Sequence, residues 1–173
     1  MIISFIGYRA TGKTTVARLL AERLNAPWVD SDREIERQAG KTIAQIFAED
    51  GETAFRNYEA HVIFDLCQSE ELILATGGGA ILRPETREIL RESGPVFWLT
   101  ATPETIARRM NADTATATQR PNLTELSQRE EIRSLLEYRT PLYQETATIE
   151  ITTESATPEE IVAQILLMGT GSC

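Results

Sequence analysis

The segment Gly7-Tyr8-Arg9-Ala10-Thr11-Gly12-Lys13-Thr14 follows the apolar run Ile2-Ile3-Ser4-Phe5-Ile6. It opens a stretch in which Val16, Leu19, Leu20 and Leu24 recur at helical spacing. A short apolar run ended by glycine is what a strand buried on both faces looks like. Strand, glycine-rich turn and helix in that order leave little freedom in the fold. The backbone N–H groups of such a turn and of the helix start converge into an anion cradle. The full GxxxxGKT pattern adds a lysine that reaches the outer phosphates of a nucleotide and a threonine hydroxyl suited to Mg²⁺. A chance turn has no need of a lysine at that place, and the chain has only two lysines, Lys13 and Lys41. This is a nucleotide-phosphate site.

The rest of the chain repeats the alternation. Pro27–Asp30, Leu72–Ala75, Val96–Leu99 and Ala147–Ile151 read as further strands. Helices are expected at about 13–25, 31–39 (Ser31 as N-cap), 42–49, 52–67, 84–92, 103–111, 127–143 and 158–168. Three of them begin with proline, Pro84, Pro103 and Pro158, which favours a first helical turn. Such alternation predicts an α/β fold in three layers, a parallel sheet covered by helices on both faces. Asn111–Gln119 breaks the pattern, being rich in Ala and Thr with no apolar period. It reads equally as a surface loop or as a lid over a reactive site.

At 173 residues, about one domain's length, the chain is long enough to bury a sizeable core. With 17 Lys and Arg against 26 Asp and Glu, the net charge of −9 is a poor match for nucleic-acid backbones and for membrane surfaces. No apolar run approaches the ~20 residues needed to span a bilayer. The opening residues lack the basic region of a signal peptide. Cys67 and Cys173 form no disulfide framework and no CxxC pair, so a reducing, cytoplasmic setting is expected.

Several other residues carry chemistry. Asp30-Ser31-Asp32 ends the second strand, where carboxylates can face the phosphates, hold a metal-bound water or orient an attacking hydroxyl. Helix capping by the same residues is an equal reading. Gly77-Gly78-Gly79 costs backbone entropy and calls for positive φ or a ligand against the main chain, or is a plain turn. Arg139 lies on the apolar stripe Ile132, Leu135, Leu136 and Tyr143, where a charge either snorkels or meets an anion. Arg56 makes a similar case beside Ala60, Ile63 and Cys67. Arg120 precedes Pro121 and could be delivered to a transferring phosphate, while Arg109 either stacks on a base or is solvated. His61 has no partners at metal-ligand or triad spacing, and Cys67 reads as packed rather than nucleophilic.

In this order and at these separations, the GKT loop, Asp30-Ser31-Asp32, Phe55-Arg56, Gly77-Gly78-Gly79, Arg120-Pro121 and Arg139-Thr140-Pro141-Leu142-Tyr143 resemble the shikimate kinases over nearly the whole chain. The resemblance implies a single P-loop kinase-like domain over 1–173. It would have a five-stranded parallel sheet, a mobile lid at about 111–125 and a substrate-binding helical region at about 31–62. It implies transfer of the ATP γ-phosphate to the 3-hydroxyl of shikimate, on the route to chorismate and aromatic amino acids. Mg²⁺ would be the cofactor, and the enzyme a cytoplasmic monomer with no nucleic-acid or membrane partner.

Carried over by position, Gly7, Ala10, Thr11, Gly12, Lys13, Thr14, Thr15, Arg109 and Arg120 would bind ATP. Thr14, and Asp30 through water, would hold the metal. Asp32, Arg56, Gly77, Gly78, Gly79 and Arg139 would bind shikimate, the two arginines gripping its carboxylate. Lys13, Asp32 and Arg120 would act in transfer. Ala10 and Asn122 depart from the family pattern, which has glycine or a cysteine-type small residue at the first and a leucine-like residue at the second, and the Ala/Thr-rich stretch is long for the family. Another small-molecule kinase of the same architecture would not need Arg56, Arg139 and Asp32 together. A non-enzymatic nucleotide-binding module would be expected to lack at least one transfer residue.

Overall fold

The computed structural model describes residues 1–112 and 127–169. Five strands, β1 (Ile2–Ile6), β2 (Trp28–Asp30), β3 (Leu72–Ala75), β4 (Val96–Thr100) and β5 (Ile149–Thr152), form one sheet in the order β2-β3-β1-β4-β5. Every pairing is parallel, with Ser4 opposite Leu74 on one side of β1 and opposite Val96 on the other. Among the described residues eight helices accompany the strands: α1 (Lys13–Leu24), α2 (Ser31–Ala39), α3 (Ile43–Glu49), α4 (Gly51–Leu66), α5 (Pro84–Ser93), α6 (Pro103–Ala112), α7 (Gln128–Thr146) and α8 (Pro158–Gly169).

Side chains of a strand alternate between faces, and the core divides accordingly. Phe5 and Ile73 point to the layer of α1 and α8, where Val16, Leu20, Ile161 and Ile165 bury them. Ile2, Ile6, Leu72 and Leu74 point to the other layer, against Ile63 of α4, Leu90 of α5 and Tyr143 of α7. Two smaller clusters flank the carboxyl ends of the strands. One joins Tyr8 to Ile106 and Met110 of α6 and Ile132 of α7. The other holds α2, α3 and α4 together through Ile35, Ile46, Phe55 and Val62.

Most predicted elements are present within a residue or two, and three differences have local causes. Asp30, not Ser31, caps α2: its carboxylate accepts from the Asp32 and Arg33 N–H groups, while Ser31 is already helical. Helix α7 runs through Pro141 to Thr146, so β5 begins at Ile149 rather than at Ala147. The Ala147 N–H is still bonded to the Tyr143 carbonyl, which delays the strand. A short 3₁₀ turn at Ala80–Leu82 follows the glycine triplet. Trp28 opens the edge strand β2 and packs half-buried against the core. Among the described residues no helix is long and apolar enough to cross a membrane.

Candidate active site

Strand β1 lies between β3 and β4, and the connections from β1 and β3 turn to opposite faces of the sheet. The crevice of a parallel sheet opens at such a point, beyond the carboxyl ends of its strands. Gly7, Asp30, Gly77 and the end of β4 meet there. Gly7 adopts φ 139°, and a Cβ on it would run into the Leu99 carbonyl, so the turn leaving β1 admits only glycine. Gly12, at φ 93°, ends the turn and caps α1. Between them the Lys13 ammonium donates to the Gly7 carbonyl at 2.9 Å and the Tyr8 carbonyl at 2.8 Å, closing the loop over itself. Thr11 donates its hydroxyl to the same Tyr8 carbonyl at 2.8 Å. Thr15 is exposed on the first turn of α1.

The phosphate loop is tied to β2 by one short bond. The Thr14 hydroxyl donates to Asp30 Oδ2 at 2.6 Å, while the other Asp30 oxygen caps α2. One carboxylate thus caps α2 with one oxygen and meets Thr14 of the phosphate loop with the other. Asp32 stands in the first turn of α2, its N–H bonded to Asp30 Oδ1 at 3.0 Å. The fully buried Ser31 accepts the Gly77 N–H at 3.1 Å, fixing α2 against the triplet. A serine between two aspartates carried no sequence signal for that role.

None of the three glycines after β3 is among the positive-φ residues, so the conformational reason expected for them does not hold. The reason is close approach. A Cβ on Gly79 would lie 2.8 Å from Arg56 Cζ, and one on Gly78 would lie 3.3 Å from the Arg9 backbone nitrogen. Gly78 is thus pressed on the phosphate loop and Gly79 on a guanidinium.

Arg56 and Arg139, each 8% exposed, are far more buried than snorkelling allows. Arg56 donates to Glu59 Oε2 at 2.5 Å and to Glu52 Oε1 at 3.4 Å. Arg139 donates to the Gly78 carbonyl at 3.2 Å, and the Tyr143 hydroxyl donates to the same oxygen at 2.6 Å. Nε of each arginine is buried without a hydrogen-bond partner. A buried guanidinium with donors to spare, beside a phosphate cradle, is suited to an anion with two oxygens.

Arg109 is neither solvated nor isolated. It donates to Thr153 Oγ1 at 2.9 Å, to the Thr153 carbonyl at 2.6 Å and to the Ala10 carbonyl at 3.3 Å, joining the loop after β5 to the phosphate loop. Burial pushes the Tyr8 phenol above its ordinary pKa, outweighing the Arg9 and Arg139 charges that lower it. Burial likewise raises the Cys67 thiol, which keeps it protonated and inert as expected. His61 is exposed and pairs with Asp65 at 3.3 Å. Arg120, Pro121 and most of the expected lid lie outside the described residues. Tyr8 and Arg9 stand inside the motif at positions that its pattern leaves unspecified. Their signal was an aromatic and a basic residue in a turn built otherwise of small ones.

A parallel sheet with this strand order, a GKT loop closed by Lys13, and a threonine–aspartate pair beside it define a P-loop phosphotransferase. Two buried arginines, Arg56 and Arg139, lie against Gly79 and Gly78 beside that loop. The shikimate kinase family model matches residues 9–168, and the chain belongs to that family. It is 42% identical to the shikimate kinase of Symbiobacterium thermophilum over 166 residues, covering 96% of this chain and 94% of that one. It is 41% identical to the shikimate kinase of Rhodopirellula baltica, covering 92% of this chain and 86% of that one. A shikimate kinase from Acinetobacter baumannii, solved in complex with shikimate, superposes with a TM-score of 0.91 at 37% identity, covering 99% of this chain and 95% of that one.

Proposed function

We propose that the chain transfers the γ-phosphoryl group of ATP to the 3-hydroxyl of shikimate, as a cytoplasmic, monomeric enzyme of aromatic amino acid biosynthesis. The observation that carries this reading is the convergence of Arg56 and Arg139, both buried, on the consecutive glycines Gly79 and Gly78 beside the phosphate loop. Two guanidiniums there suit the carboxylate of a small hydroxy acid better than the base or sugar of a nucleotide acceptor.

In the transfer, the acceptor oxygen attacks the γ-phosphorus and its bond to the β–γ bridging oxygen breaks, releasing ADP. The hydroxyl proton passes to the Asp32 carboxylate or through it to solvent. The loop N–H groups of Gly7 to Thr15 and the Lys13 ammonium hold the phosphates, and Arg109 flanks the nucleotide from α6. The Lys13 ammonium is held at the loop by the Gly7 and Tyr8 carbonyls, where the motif brings it within reach of the outer phosphates. Arg56 and Arg139 hold the carboxylate, with the backbone of Gly77, Gly78 and Gly79 against the ring. Arg120 would complete the charge stabilisation of the transferring group.

The Thr14 hydroxyl and Asp30 carboxylate, 2.6 Å apart, are hard oxygen donors that fit Mg²⁺, Thr14 directly and Asp30 through water. When bound, that ion neutralises phosphate charge. The reading is tested by Arg139→Ala. The KM for shikimate should rise about ten- to a hundredfold, as expected for a charged hydrogen-bonding group, with the KM for ATP nearly unchanged. An equal rise in both would refute the carboxylate assignment.

A further inference from the structure

The second residue of the phosphate loop is a tyrosine whose side chain turns away from the nucleotide cradle. Tyr8 is 2% exposed and packs on Ile106 and Met110 of α6 and Ile132 of α7. Its carbonyl is fixed by Lys13 and Thr11. Both the backbone and the ring are therefore held in place, each by a different part of the fold.

Two guanidiniums share that ring. The Arg139 guanidinium carbon lies 5.8 Å from the ring centroid and that of Arg9 lies 6.0 Å from it. These distances are within the range over which the electron-rich face of an aromatic ring attracts a cation. Arg139 is otherwise hydrogen-bonded to Gly78, and its buried Nε has no partner. A long arginine side chain has several rotatable bonds, and a planar fork must be fixed in orientation before it can meet a carboxylate with both prongs. The ring supplies that fixation where hydrogen bonds are few.

We propose that Tyr8 is a positioning residue for the acceptor: its ring orients the Arg139 guanidinium toward the acceptor's carboxylate, making a side chain of the nucleotide loop a determinant of acceptor selectivity. This inference rests on the carboxylate-acceptor reading above. The attraction uses the ring and not the hydroxyl, so phenylalanine should serve and an aliphatic residue should not.

The test compares kcat/KM for shikimate with kcat/KM for its methyl ester, in the wild type, Tyr8→Phe and Tyr8→Leu. The ratio does not depend on the fraction of enzyme that is folded, which a purely structural role would change. The wild type should favour the free acid. Tyr8→Phe should keep the ratio within about twofold of the wild type, and Tyr8→Leu should lower it about tenfold, equivalent to about 1.4 kcal/mol. Tyr8→Met, of similar reach, replaces Tyr8→Leu if the latter does not fold. A wild-type ratio retained by the aliphatic variant overturns the proposal, as does a Tyr8→Phe ratio as low as that of Tyr8→Leu. A wild type indifferent to esterification overturns the acceptor reading itself, and the proposal with it.

Discussion

Two adjacent glycines should report on two different substrates. Gly79 has φ −105° and ψ 4°, a conformation open to alanine, so Gly79→Ala adds a methyl group without straining the backbone. That methyl carbon would stand 2.8 Å from Arg56 Cζ and 2.7 Å from Nη2. Carbon atoms pack at about 3.5–4.0 Å, so the guanidinium must retreat by about 1 Å. It cannot swing freely, because Nη1 is held by the buried Glu59 at 2.5 Å. Misplacement of a binding group by about 1 Å costs up to about a hundredfold in reaction efficiency. Gly79→Ala should therefore raise the KM for shikimate at least tenfold while the KM for ATP stays within about twofold.

Gly78→Ala meets a different neighbour. Its Cβ would lie 3.3 Å from the Arg9 nitrogen and 3.4 Å from the Gly7 carbonyl oxygen, so the phosphate loop must shift by a few tenths of an ångström. Its effect should fall mainly on ATP. The assay is steady-state kinetics with each substrate varied at saturating levels of the other, and a thermal melt of each variant to confirm folding. Equal changes in both KM values for Gly79→Ala, or an unchanged KM for shikimate, would refute the argument that Gly79 exists to admit the Arg56 guanidinium.

Ala10 sits in the phosphate loop at φ 60°, a left-handed conformation that costs an alanine about 1–2 kcal/mol. Set against the greater unfolded-state entropy of glycine, Ala10→Gly should stabilise the fold by about 0.5–1 kcal/mol and raise the Tm by about 2 °C. A lower Tm would contradict it. Lys13→Met removes the cation that closes the phosphate loop through the Gly7 and Tyr8 carbonyls. Turnover should fall at least about a hundredfold while the far-UV circular dichroism spectrum is preserved, and retained turnover would remove Lys13 from the transfer.

Much of this site is legible in the chain because its parts are local. The phosphate loop is one contiguous motif, and its strand and helix are coded by apolar runs on either side of it. The stripe Ile132, Leu135, Leu136 and Tyr143 leaves Arg139 to snorkel or to meet an anion, and only the structure shows that it is buried. What escaped were relations between distant segments. Nothing local to Gly79 says that Arg56 presses on it. The pull of Ser31 on the Gly77 N–H spans 46 positions, and the bond from Arg109 to Ala10 spans 99. Serine is a common cap and Ser31 stands where one is expected, yet Asp30 caps α2 with one oxygen and accepts the Thr14 hydroxyl with the other. Such sharing appears only when β2 is laid beside the phosphate loop.

The central claim, a P-loop phosphotransferase whose two buried arginines choose the acceptor, is met most directly by ADP release. Release would be measured with ATP and Mg²⁺ in the presence of shikimate, gluconate or nucleoside monophosphates. The account predicts release that depends on shikimate and is at background with the others. Comparable release with gluconate or a nucleotide, and none with shikimate, would contradict it.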